Sequence, residues 1–161
     1  MVTTSALDQL DGRLIQAMAE TPRAGILELA RRLGVARGTV QARLDRLTRR
    51  GVVTGFGPDL DLEALGYEVL AFTTLEIAQG RLDDVVAHLR DIPEVLEAQA
   101  ITGQGDLHCR IAARTNAHLQ DVINRVLEVQ GIGRSTTVIA LSDQIPYRTL
   151  PLVESAAGHL P

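Results

Sequence analysis

Seven arginines fall between residues 31 and 50 against a single acid, Asp45, a local balance of +6. Cations at that density suit a polyanion. A second segment, Thr102-Gly103-Gln104-Gly105-Asp106, suits a different ligand. Backbone N–H groups around Gly103 and Gly105 are placed to receive a carboxylate, and Asp106 to pair with an ammonium. The plainer reading of that segment is a glycine-rich hairpin with no ligand. What either group can do depends on the elements that carry it.

The arginines lie on helix-turn-helix spacing. Residues 26–52, ILELARRLGVARGTVQARLDRLTRRGV, place Ala30, then Gly34 four residues on, then Val40 six further. A small residue on the first helix lets the second cross closely, a glycine turns the chain, and a β-branched residue plugs the crossing. Periodicity predicts helices over Leu7–Glu20 with Ser5 as cap, over Ile26–Leu33 stopped by Gly34, and over about Arg37–Arg50 stopped by Gly51. On the third helix Val40, Leu44 and Leu47 make the apolar stripe, so Gly38, Ala42, Asp45, Arg46 and Arg49 face outward. Ala36 stands where Ser or Thr would usually cap.

A motif of this kind sets the start of its second helix in the major groove of double-stranded DNA. The residues entering are Arg37, Gly38, Thr39, Gln41 and Ala42. Gly38 and Ala42 are small enough for close backbone approach, and Arg37 and Gln41 can offer bidentate hydrogen bonds to base edges. Arg46, Arg49 and Arg50 fit phosphate contacts. The alternative is a structural three-helix bundle with a solvated arginine face.

Charge divides the 161 residues into two parts. Residues 1–55 hold nine Arg against five acids, +4, and residues 56–161 hold seven against fifteen, −8. The acidic total therefore does not argue against nucleic acid, because the basic charge is gathered on the motif. Every basic side chain is Arg and none is Lys, as codon bias in a GC-rich genome would produce.

The chain reads as a helix-turn-helix head over 1–52, winged-helix-like in character, then a linker over 53–66, then a second domain over 67–161. The linker carries a short strand and turn over Gly51–Asp59 and one helical turn capped by Asp61 and closed by Gly66. Strands are predicted over about Glu68–Ile77, Val95–Thr102, Leu107–Ala113 and Ser135–Ser142. Helices are predicted over Leu82–Arg90 and Ala117–Val129, the latter with Thr115 or Asn116 as cap and Gly131 as stop. This βαββαβ order is ferredoxin-like, and the fold class is α+β. Leu107, Cys109 and Ile111 point to one sheet face and His108 and Arg110 to the other. The mixed face suits a contact between subunits. The tail, Pro146–Pro161, carries Tyr147, Leu150, Leu152 and Val153 and reads as an extra edge strand or an arm onto a neighbour.

Other chemistry finds no support in the residues. The single Cys109 rules out an internal disulfide and suits a reducing cytoplasm. His88, His108, His118 and His159 have no metal-ligand spacing, no nucleophile–base arrangement can be assembled, and no cofactor motif is present. Gly103-Gln104-Gly105 precedes no helix, so it is not a nucleotide loop. No signal peptide or membrane span is visible.

Taken together, the head LDQLDGRLIQAMAE with LELARRLGVARGTVQARLDRLTRRGVV, the turn ITGQGDLHCRI and the stretch GIGRSTTVIALSDQ resemble the Lrp/AsnC, or feast/famine, transcriptional regulators. The resemblance spans Leu7 to about Val153. It implies a homo-oligomer, from dimer to octamer, that binds DNA through its heads and senses an amino acid between subunits. It further implies that the last strand completes the effector cleft, with Ser135 and Thr137 as candidates beside Thr102–Asp106. Leu107 stands where the family frequently has Tyr. The rivals are an architectural DNA-binding protein without effector and an amino-acid-sensing subunit of a metabolic enzyme; an enzyme in its own right lacks catalytic residues.

Overall fold

Asp8 opens the first helix. Its carboxylate accepts the Asp11 N–H at 2.9 Å, and the Asp11 side chain accepts the Asp8 N–H in return, so two amides that a helix start would orphan are satisfied. The computed structural model describes residues 7–157. Ser5, the cap expected from sequence, lies outside them, as does His159. Of the described residues, those up to Pro58 and from Ile145 onward form one unit and Asp59–Gln144 form the other.

The first unit contains α1 (Gln9–Glu20), α2 (Ile26–Leu33), α3 (Arg37–Arg49) and, from the tail, α6 (Leu150–Ala156). Gly34 adopts φ 70° and closes α2, its N–H turned back to the carbonyls of Ala30 and Arg31. Ala30, Val40 and Leu47 are buried as the motif requires, and Leu14 of α1 joins them. Between Gly51 and Asp59 no strand forms. The chain instead turns at Gly51, φ 70°, and the N–H groups of Val52 and Val53 both donate to the Leu47 carbonyl. In its described residues the tail forms no edge strand, and it packs on its own head where an arm onto a neighbour was expected. Val153 and Ala157, four apart on one helical face, pack into the core of the head, which corrects its assignment to the second domain. Pro151 is tolerated because it falls in the first turn of α6.

The second unit runs β1 (Val69–Ile77), α4 (Leu82–Arg90), β2 (Val95–Ala100), β3 (Leu107–Ala113), α5 (Asn116–Val126) and β4 (Ile132–Ile139). The four strands are antiparallel in the order β2-β3-β1-β4, the ferredoxin-like arrangement. Asp61 accepts the Ala64 N–H at 2.7 Å and caps a turn closed by Gly66. Thr115 caps α5 as expected. Strand β4 begins and ends three residues earlier than the sequence pattern gave it, because its limits follow from pairing with β1, Ile77↔Ile132 through Ala71↔Ile139. Ala71, Leu75, Cys109 and Ile111 on the sheet and Val85, Val122 and Val126 on the helices form the core.

Leu47 is wholly inaccessible and sits where α3 meets the rest of the head core. Leu47→Ala should lower unfolding free energy by about 2–5 kcal/mol in denaturant titration; a loss below about 1 kcal/mol would remove it from the centre of that core.

Candidate functional site

On α3, Arg37, Gly38, Thr39, Gln41 and Ala42 are all exposed, so the positions expected to enter a groove are presented to solvent. Gly38, Thr39 and Ala42 share a shallow surface groove with Arg43, Arg46 and Arg49. Gln41 donates its amide N–H to Asp45 at 2.9 Å, one turn on. Arg49 and Arg50 are exposed, and among the described residues neither they nor Arg37 is in an ion pair.

Arg46 differs from them. Its guanidinium donates to both oxygens of Asp11, at 2.8 and 2.7 Å, and Asp11 is only 1% exposed. Arg43, which sequence reasoning passed over, donates to the same carboxylate at 2.9 Å and to Asp8 at 2.6 Å. Hydrogen bonding from Arg43 holds the Asp8 carboxyl below its ordinary value. A carboxylate removed from water needs such partners, since desolvation without them is costly. Arg46 is thus first a structural residue, and any phosphate contact comes from the part of it left exposed. The signal in sequence was the matched spacing, Asp8 and Asp11 on one helix and Arg43 and Arg46 on another, each three apart.

In the second unit, Thr74, Glu76, Gly103, Gln104, Gly105, Arg134 and Thr136 line a cavity of about 560 Å³. That lies within the size range of small-molecule sites. Gly105 allows it to form: at φ 90° it lies so close to β1 that a Cβ would collide with Thr74 Cγ2 and crowd the Leu75 carbonyl. Glu76 and Arg134 are directly paired across β1 and β4, yet among the described residues no ion pair joins them.

Three of the expected effector residues, Gly103, Gln104 and Gly105, are in this lining, and four are not. Thr102 is exposed at the start of the loop and lies outside the lining. The Asp106 carboxylate accepts the Ile77 N–H at 2.6 Å while its own N–H donates to the Leu75 carbonyl at 2.8 Å, so it ties the loop to β1 rather than awaiting an ammonium. Ser135 and Thr137 pair with Leu75 and Thr73, both fully buried, and so lie on the sheet face that packs under the helices. Thr137 shares a hydroxyl hydrogen bond with Thr73 at 2.9 Å. Their neighbours Arg134 and Thr136 face the cavity, because successive strand residues point to opposite faces. The expected strand borders this cavity, and the residues of it that line the cavity alternate with the expected ones.

Reactive alternatives are spent elsewhere. Burial pushes the Cys109 thiol up to about 11, where it is no nucleophile at neutral pH. His88 donates to the Arg125 carbonyl at 2.7 Å, His108 stacks on Phe72, and His118 is held by Glu94.

Residues 70–150 match the profile of the Lrp/AsnC ligand binding domain, and residues 7–54 that of a winged helix-turn-helix DNA-binding domain. The chain belongs to the Lrp/AsnC family of transcriptional regulators. Among curated members of that family, the HTH-type transcriptional regulator FL11 of Pyrococcus horikoshii is 27% identical over 146 residues, 91% of this chain and 97% of that one. The structure of AsnC from Escherichia coli superposes with a TM-score of 0.83 at 28% identity, covering 90% of this chain and 99% of AsnC. A feast or famine regulatory protein from M. tuberculosis, in a structure complexed with L-methionine, gives 0.78 at 29% identity over 89% and 98% of the two chains. As an Lrp/AsnC regulator the chain carries a DNA-binding motif, and none of its described helices is long and apolar enough to cross a membrane.

Because Arg46 neutralises a buried carboxylate, Arg46→Ala should lower the unfolding free energy by about 1–3 kcal/mol, Arg43 remaining to cover part of the charge. Chemical denaturation measures this directly, and an unchanged midpoint would return Arg46 to the class of free surface cations.

Proposed function

We propose that the chain is a sequence-specific DNA-binding regulator whose DNA affinity responds to a free amino acid held in the cavity of the second unit. The observation that carries this reading is the lining itself. Glu76 and Arg134 stand on adjacent strands with opposite charges and no ion pair between them, beside a loop whose glycines present backbone amides. An amino acid carries the complementary pair, an ammonium for Glu76 and a carboxylate for Arg134. The methionine complex of the M. tuberculosis relative supports the same ligand class.

Arg37, Thr39 and Gln41 with the small Gly38 and Ala42 are the base-reading set, and Arg49 and Arg50 with the exposed part of Arg46 bind phosphate. A second copy of the chain covers the reverse face of the sheet, where Phe72 stacks on His108 at 5.6 Å and Val138 is 57% exposed. Five of the seven cavity-lining residues are exposed in the single chain, so that contact would also close the ligand site.

The DNA arm is tested by fluorescence anisotropy against an operator and an unrelated duplex across a salt series. Arg49→Ala should weaken both by similar factors and make the log–log salt slope shallower by about 1, whereas Arg37→Ala should reduce discrimination by about 1–3 kcal/mol. An unchanged slope in Arg49→Ala and unchanged discrimination in Arg37→Ala would overturn the assignment of these residues.

The assembly and effector arms are read together by sedimentation of the full chain with and without each of the twenty amino acids. At micromolar concentration the protein should be at least dimeric, and one amino acid should change its assembly or its DNA affinity. A monomer indifferent to all twenty would leave only a DNA-binding protein.

A further inference from the structure

Resting on the reading of the cavity as an amino-acid site, we infer that this chain selects an effector with a neutral, hydrogen-bonding side chain, carboxamide or hydroxyl, over apolar and charged ones. The argument is a matching of groups. The lining holds one carboxylate, Glu76, and one guanidinium, Arg134, and an α-amino acid engages both through its ammonium and carboxylate. What remains is Gln104, Thr136 and Thr74, a carboxamide and two hydroxyls, that of Thr74 already hydrogen-bonded to His108 Nδ1 at 3.1 Å, with Gly103 and Gly105 adding backbone.

No aliphatic, aromatic or thioether side chain is among the seven that this chain contributes to the site. A methionine or leucine side chain placed there would cover the Thr136 hydroxyl and the Gln104 amide without offering them a partner, and groups so covered lose their hydrogen bonds to water. An acidic side chain would bring a second negative charge with Arg134 already engaged, and a basic one a second positive charge with Glu76 already engaged. A carboxamide both donates and accepts, as a hydroxyl does, and so do the threonine hydroxyls and the Gln104 amide. The register makes this set a unit: Thr74 and Thr136 are direct cross-strand partners, as are Glu76 and Arg134 two residues along the same face. The polar pair and the charged pair therefore lie side by side on one face of the sheet, under the loop that Gly105 brings close to Thr74. Sites built to hydrogen-bond a ligand reject analogues lacking the group far more strongly than apolar pockets reject an added methylene.

Titration calorimetry on the full chain tests the inference with asparagine, glutamine, serine and threonine against methionine, leucine, aspartate and lysine. At least one of the first four should bind tenfold or more tightly than any of the second four. Thr136→Val, nearly isosteric and at an exposed strand position, should then cut that affinity about tenfold and narrow the margin over methionine, with the thermal unfolding midpoint checking that the fold is kept. Methionine, leucine or a charged amino acid binding as tightly as the best neutral polar one would overturn the side-chain assignment while leaving the amino-acid site standing. Selectivity unchanged by Thr136→Val would overturn the role of Thr136. No binding by any of the eight would overturn this inference, and sedimentation with all twenty amino acids then decides whether the site falls with it.

Discussion

The period-two alternation along β1 governs the second unit. This strand lies between β3 and β4, and every second side chain, Ala71, Thr73 and Leu75, is fully buried beneath the helices. The intervening Phe72, Thr74 and Glu76 are thereby committed to the reverse face. Hydrogen bonding to two neighbours pins the register on both sides, so β3 and β4 inherit the same division. Shifting β4 by a single residue would exchange Arg134 and Thr136 for Ser135 and Thr137 and dismantle the cavity. Core and site are opposite outcomes of one geometric rule.

The loop over the cavity depends on the same strand. Just before the start of β3, Asp106 continues the contact with β1 through its backbone N–H and then with its carboxylate, taking the two next available groups, the Leu75 carbonyl and the Ile77 N–H. That anchorage brings Gly105 against Thr74, where only a glycine fits. An acid that looked like a ligand group is what places the lining of the cavity.

The head solves a different problem. A helix that binds a polyanion must carry several arginines, and on a small core their mutual repulsion works against folding. Asp11, buried and shared between Arg43 and Arg46, offsets those two charges together with Asp8 and at the same time joins α1 to α3. Arg37, Arg49 and Arg50 remain outside that network. The arginines of α3 therefore divide into a pair that secures the helix and a set left for a partner, although their side chains are chemically identical.

The sequence by itself determined the elements and their order. Apolar spacing at 3.6 and at 2 residues located the three helices of the motif, the Gly34 turn, the four strands and the two helices between them, because those signals are local and repeat within a few residues. The strong Lrp/AsnC resemblance rested on the same local stretches. It did not determine which residues meet. Thr102–Asp106 was legible as a site because glycines cluster there, yet the charged pair, Glu76 and Arg134, is 58 residues apart in sequence and becomes a pair only through strand register. Asp8 and Asp11 likewise meet Arg43 and Arg46 only when α1 packs on α3, and the tail finds the head core only in three dimensions. Periodicity says that a strand has two faces; only its pairing with a neighbour whose core face is settled says which face is which.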